Sequence, residues 1–379
     1  MIIKKLIIAI LFLITAFFVL SEPIFAQANT TGNVFKEENL EGKAIKILEE
    51  KQITPIGTNK SQLYQKLEVL ITKGSLKDKK VIIESGNLPI SNLQKYYTGD
   101  KFVIAYTKNS EGKDVFYITD YVRHNALLWL FLIFVVMAVA IGRWRGLTSL
   151  IGMAISFLVI FWFIIPKILS GGNPVEMAIL GSLIIIPATF LLSHGINKKT
   201  LIAIVGTLIA LVITGILASV FVNATRLTGF ASEEAGFLQT YKPGLIDIKG
   251  LILAGIIIGV LGVLDDITIS QSAIVQQLKL ANPNLKDIEL YKKAMTVGKD
   301  HIASMVNTLV LVYTGAALPL LIIFVDNPHP FTEIINYEII ADEIVRTLVG
   351  SIGLILAVPI TTFIAVIVFD ISRNKLKTK

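Results

Sequence analysis

Two adjacent carboxylates, Asp265 and Asp266, close the otherwise apolar run GLILAGIIIGVLGVLDD. A charge in or beside a bilayer core is costly and persists where it pairs, binds an ion or relays a proton. Downstream, Asp300, Ser304, Asn307 and Thr314 recur at helical spacing and mark one polar face. Gly255, Gly259 and Gly262 form a small-residue stripe that leads to Asp266 on the same period. If the two stripes met, Asp266 and Asp300 would sit together, with Asp265, Gln271 and His301 close by. That set, with Ser304 and Asn307, is a candidate polar translocation site able to bind a cation, relay protons or end a polar path. Packing is the competing explanation, because glycine stripes and Ser, Asn and Thr faces also join membrane helices. TISQ (268–271) also fits a capping box, which would start a new helix and leave the aspartates in water. The period assigns Asp265 to water and Asp266 to the face toward Asp300.

A second charged group lies in ADEIVRTLVGSIG. Asp342 and Glu343 precede Arg346 by four and three residues, a spacing that permits an ion pair worth about 0.5 kcal/mol when exposed. Deeper in a bilayer Arg346 would need such a partner, so Glu343 and Arg346 form a candidate outer gate. Gly350 and Gly353 allow close helix packing there, and Pro359 allows a kink.

The elements that must carry these residues are membrane helices. The chain is 54% hydrophobic and 17% charged over 379 residues, with a mean hydropathy of +0.71, which is too apolar for a soluble domain. There are no cysteines, which excludes disulfides, thiolate catalysis and Cys-ligated metal. The net charge of +7 reads first as an orientation signal, since Lys and Arg collect on cytoplasmic loops.

Residues 1–28 have the layout of a signal peptide, with Lys4 and Lys5, an apolar run and the triplet Ala26-Gln27-Ala28; an uncleaved anchor is the other reading. Either exports residues 29–123, where KAIKILEE, KLEVLITKG, KKVIIESG, DKFVIAYTKN and KDVFYITDYV predict about five strands, a small β domain or barrel. SNLQ (91–94) predicts a short capped helix. Residues 124–379 then contain about seven apolar stretches, near 126–141, 147–166, 174–193, 200–222, 248–264, 302–325 and 344–369. The fold class is an all-α polytopic membrane helix bundle preceded by a small extracytoplasmic β domain.

Placing the β domain outside puts GRWRG, HGINKKT, residues 265–301 and the C-terminus in the cytoplasm, in agreement with the positive-inside rule. Segment 268–299 reads as two short helices broken at Asn282-Pro283, amphipathic and cytoplasmic. Leu285, Ile288, Tyr291 and Met295 form its apolar face, and Lys286, Lys292, Lys293 and Lys299 are able to meet anionic lipid. A solvated connector is the alternative.

GRWRG, HGINKKT, LGVLDDITISQ, GKDHIASMVNTLVL and EIVRTLVGSIGLILAVPITT, in this order, resemble the YibE/F-like family of bacterial multipass membrane proteins over about residues 120–370. The resemblance implies a bacterial plasma-membrane protein. It implies no catalytic or binding residues.

Function therefore rests on the residues. The leading expectation is a transporter or permease using the carboxylate site. The alternative is an accessory or sensory protein that binds a partner through the β domain, and a remote one is an intramembrane aspartyl protease, which two aspartates sharing a proton would permit. Otherwise the chain is expected not to be an enzyme. Expected partners are the bilayer and a homo-oligomeric or paralogous subunit; no cofactor, metal or nucleic acid is expected.

Overall fold

The computed structural model describes residues 38–55, 60–88, 94–109, 112–326 and 329–377, with side chains of the last helix described to Phe369. The candidate signal segment and Ser91–Leu93 of the expected cap lie outside the described residues. Two compact units divide the chain, one within Gln27–Met137 and the other within Ala138–Lys379.

The first unit holds the five expected strands, β1 (Glu38–Ile53), β2 (Gln62–Lys73), β3 (Lys80–Ser85), β4 (Lys101–Lys108) and β5 (Asp114–Tyr121). They form one antiparallel sheet in the order β3-β2-β1-β4-β5. Alternating apolar residues give the sheet one buried face, with Leu40, Leu67, Val69, Ile71, Ile83, Phe102 and Ile104 at its centre. Gly42 is required there, because a Cβ would lie 2.6 Å from both Ile104 and Val69. Register shifts bend β1 after Ala44 and after Ile47. Gln65, buried on β2, receives the Tyr96 N–H at 2.8 Å and donates to the Tyr96 carbonyl at 3.0 Å, so the segment before β4 is tied to the sheet.

The second unit is helical, and its first helix begins within the first unit, which extends to Met137. α1 (His124–Val159) passes through a π-helical turn, Ile160–Ile164, into α2 (Ile165–Leu169). α3 (Pro174–His194), α4 (Lys198–Ala224), α5 (Glu233–Tyr241), α6 (Ile248–Ala281) and α7 (Asp287–Ala316) follow, then α8 (Leu318–Val325), α9 (Phe331–Ile334) and α10 (Glu338–Lys377). Their starts are encoded locally. Asn173, Asn197, Ser232 and Asp247 each accept a hydrogen bond from the first turn of α3, α4, α5 and α6, and Pro174 occupies the first position of α3.

Among the described residues, five helical stretches are long and apolar enough to cross a membrane: His124–Leu169, Pro174–His194, Lys198–Ala224, Ile248–Ala281 and Glu338–Phe369. α7 and α8, bent by 71°, make a sixth when taken as one span. About seven were expected. The difference lies in residues 124–169, where α1 is broken at Arg143 (φ 50, ψ −130), inside the GRWRG motif. At this break the carbonyl of Ala138 lies against Gly146, where a Cβ would collide with it. Eight residues of continuous helix would separate those groups by about 12 Å.

α4, α6 and α10 form the centre of the helical unit, with α3 and α7 packed against them. Small residues set their approach: Gly206 lies on Thr361, and Gly353 lies on Thr214. A layer of buried hydroxyls and amides ties the helices. Thr207 and Thr268 share a hydrogen bond at 2.7 Å, and Gln271 donates to Thr362 at 2.7 Å and to the Ala294 carbonyl at 3.1 Å.

The expected helix start at Thr268 is corrected. α6 runs unbroken to Ala281, and the Thr268 hydroxyl donates back to Leu264 at 2.9 Å instead of capping a new helix. The reason is burial, since Ile267, Thr268, Ile269, Gln271, Ser272 and Val275 continue the packed face beyond the aspartates. The break at Asn282-Pro283 is present. Beyond it Leu285, Tyr291 and Met295 of the expected apolar face pack on the core, joined by Leu290 and Ala294, whereas Ile288 is exposed.

Candidate functional site

Asp265 and Asp266 follow each other on a helix and so point about 100° apart. Their exposure is the reverse of the sequence expectation. Asp266 is exposed, while Asp265 is half-buried and lines a cavity of about 170 Å³ with Ser156, Ile160, Ile185, Ile186, Thr189, Ile258, Leu261 and Gly262. Helical period alone favours Asp266, because it extends the glycine stripe. Only the Gly262 end of that stripe meets open space, where a Cβ would have no atom within 4 Å.

The polar character of the small cavity is one-sided. Asp265 Oδ1 is buried and accepts no hydrogen bond among the described residues. Ser156 spends its proton on the Gly152 carbonyl at 3.1 Å, and Thr189 spends its own on Ile185 at 2.9 Å and Ile186 at 3.1 Å. The side-chain oxygens that remain are acceptors, which suits a cation or a proton held on Asp265. Two helix irregularities border the cavity. Ile160 opens the π-helical turn, and Pro187 sits in α3 between Ile186 and Thr189. Such turns and prolines free backbone groups and recur at functional positions in membrane helices.

A larger cavity, about 480 Å³, lies at the other end of α6. Its charged lining is Glu234, Glu338, Asp342, Glu343 and Arg346, beside Ala316, Ala317, Pro319 and Leu320 at the α7–α8 bend. Arg346 donates to Asp342 at 2.8 Å and approaches Glu343 at 3.8 Å. Asp342 Oδ1 and Arg346 Nε are buried without a hydrogen-bond partner among the described residues. Glu338 is partly committed to structure, accepting from Thr228 and Gly229 after α4. Gly255 faces Arg346, and Gly259 faces the Tyr313 hydroxyl, at 3.4 Å from a built Cβ in each case. α6 is therefore a wall of both cavities, whose linings on it come within about 9 Å, from Ile252 to Ile258.

The remaining candidates separate. Gln271 is buried but turned toward Thr362 and Ala294. Asp300, Ser304 and Asn307 are exposed on α7, and His301 is half-buried. The expected meeting of a glycine face and an aspartate face is not what the helices form, because α7 packs through Leu290, Ala294, Gly298 and Leu309. Among the described residues no three His, Asp or Glu side chains are grouped to hold a metal. Sequence reasoning missed Ser156, Thr189 and Tyr313. The π-helical turn left no recognisable signal, but Pro187 beside Thr189 in an apolar helix was readable.

The model of the YibE/F-like protein family matches residues 130–371. The chain belongs to this family. The YibE/F-like region contains both cavities and the five motifs that suggested it. No curated protein and no solved structure matches the chain.

Proposed function

We propose that this YibE/F-like chain is a membrane permease in which Asp265 is the ion-binding or proton-carrying group. The carrying observation is Asp265 Oδ1, buried without a hydrogen-bond partner among the described residues, in a cavity whose other side-chain oxygens only accept. An ionisable residue inside a membrane bundle facing a cavity is the usual mark of an ion or proton path. The charged cavity at Arg346 is the opposite mouth, and Asp342, Glu343 and Arg346 gate it. The α7–α8 break supports this assignment, because broken helices in membranes line cavities and substrate sites.

Seven crossings fit this reading. Dividing residues 124–169 at Arg143 and counting α7–α8 as one span gives an odd number, with the strands and the C-terminus on opposite sides. We assign the bacterial plasma membrane, residues 29–123 outside and the C-terminus in the cytoplasm, because Lys and Arg of GRWRG, HGINKKT and the α6–α7 connection then lie inside. Reconstituted protein tests the proposal by transient currents on jumps of proton, sodium or potassium concentration. Asp265→Asn removes the current while Asp266→Asn keeps it. A folded Asp265→Asn variant with wild-type currents overturns it.

A further inference from the structure

The exposed faces of the membrane helices are not alike. On α4 the exposed positions include Leu201, Val205, Val212 and Ile216, and on α10 they include Leu348, Ile355 and Phe363, all suited to lipid. On α7 the exposed face carries Ser304, Asn307, Thr308, Thr314 and Gly315, broken only by Leu311 and its apolar neighbours. This face lies level with the apolar middle of α6 and α10. Leu309, two residues from Asn307, packs on Gly350 of α10 beside Val260 of α6, about 18 Å from the start of α6. Among the described residues the Asn307 amide makes no hydrogen bond, and Thr308 donates only to its own helix, to Ser304 at 3.0 Å. An amide facing hydrocarbon has no water to bond, so such residues turn toward protein.

We propose that the α7 face built on Ser304, Asn307, Leu311 and Thr314 is the interface with a second copy of this chain. The occupant follows from chemistry. The chain's own remaining apolar segments are poor partners, since residues 126–141 offer one polar group, the donor-only indole of Trp129, and residues 6–19 offer one, Thr15. A second α7 brings the same amide and hydroxyls, and each is both donor and acceptor, so the face complements itself. Both copies share one orientation in the membrane, so the helices pair in parallel about a two-fold axis along the membrane normal, with Asn307 opposite Asn307. Small residues at Ser304 and Gly315 let the backbones approach, and an interhelical asparagine fixes register. Asp300, on the same face, lies at the end of the contact nearest the α6–α7 connection. The inference does not rest on the transport reading.

The absence of native cysteine makes the test direct. Ser304→Cys, Asn307→Cys and Leu311→Cys, cross-linked by a short bifunctional maleimide in native membranes, yield a species of twice the chain mass on a denaturing gel. Val212→Cys on α4 and Ile355→Cys on α10 remain monomeric. Dimers formed equally at the control positions, or none at the α7 positions, overturn the interface; an adduct of another mass shows a different partner and overturns self-association. In detergent, Asn307→Leu weakens the dimer about tenfold by mass photometry, as loss of an interhelical amide contact requires, while Asn307→Gln retains it. The Asn307→Leu side chain is exposed in the single chain, so folding is not at stake, and an unchanged dimer refutes the role given to the amide.

Discussion

Gly353 of α10 offers the sharpest test of the packing. A Cβ built there collides with the Thr214 hydroxyl oxygen and lies 3.1 Å from Thr214 Cβ and Cγ2. Thr214 is buried and its hydroxyl donates to Ala210 at 2.7 Å, so it has little freedom to turn away. Gly353→Ala therefore overpacks a fixed contact between α4 and α10, at a cost of about 2 kcal/mol. For a unit of this size that lowers the unfolding midpoint by roughly 4–8 °C. Thr214→Ala removes the two outer atoms and leaves one contact at 3.1 Å, so the double variant recovers most of the loss, with a coupling of about 1 kcal/mol or more. Gly262→Ala, with no atom within 4 Å, serves as the control and leaves the midpoint unchanged or slightly raised. The assay is thermal unfolding in detergent followed by helical circular dichroism. A Gly353→Ala midpoint equal to wild type, or a Gly262→Ala loss as large as that of Gly353→Ala, would refute this account of the packing.

Gln271→Leu removes two hydrogen bonds that tie α6 to α7 and α10, and the expected loss is about 1 kcal/mol, since such bonds average roughly 0.6 kcal/mol each in membrane proteins. A wild-type midpoint in the same unfolding assay would contradict it. In the β unit, hydrogen bonds from Ser75 hold the Glu38 carboxyl below its ordinary range, and those from Lys95 and Lys66 do the same for Glu50 and Glu84. Depressed carboxylates stabilise above the unfolded pKa, about 4.3, and this contribution is lost as pH falls through the lower folded values. Hydrogen exchange of β1 and β2 in the full chain, corrected for intrinsic rate, is therefore flat from pH 7 to about 5 and weakens below about 4. Protection already lost at pH 6 would point to another group.

Much of the architecture was written locally. Strand alternation gave all five strands, and the apolar stretches 174–193, 200–222 and 248–264 fall within α3, α4 and α6. The helix ends were less legible, because nothing between Asp266 and Ala281 stops a helix; Thr268 and Gln271 look like a cap in sequence but are used for tertiary hydrogen bonds. The candidate site was legible in composition and not in facing. Helical period groups Gly262 with Asp266 and Asp300 with Asn307, but it holds no information on which stripe is covered. Coverage is decided by α3 and the π-helical turn, which enclose Asp265, and by Gly298 and Leu309, which turn the polar face of α7 outward. Arg346 was readable because its partners lie one turn away on its own helix.

The central claim is that Asp265, and not its neighbour, carries the ion or proton. Solid-supported-membrane currents from proteoliposomes bearing wild type, Asp265→Asn and Asp266→Asn measure this directly. The account predicts a cation-dependent current in wild type and Asp266→Asn, and none in a folded Asp265→Asn. A current that survives in Asp265→Asn, or that is lost only in Asp266→Asn, would contradict it.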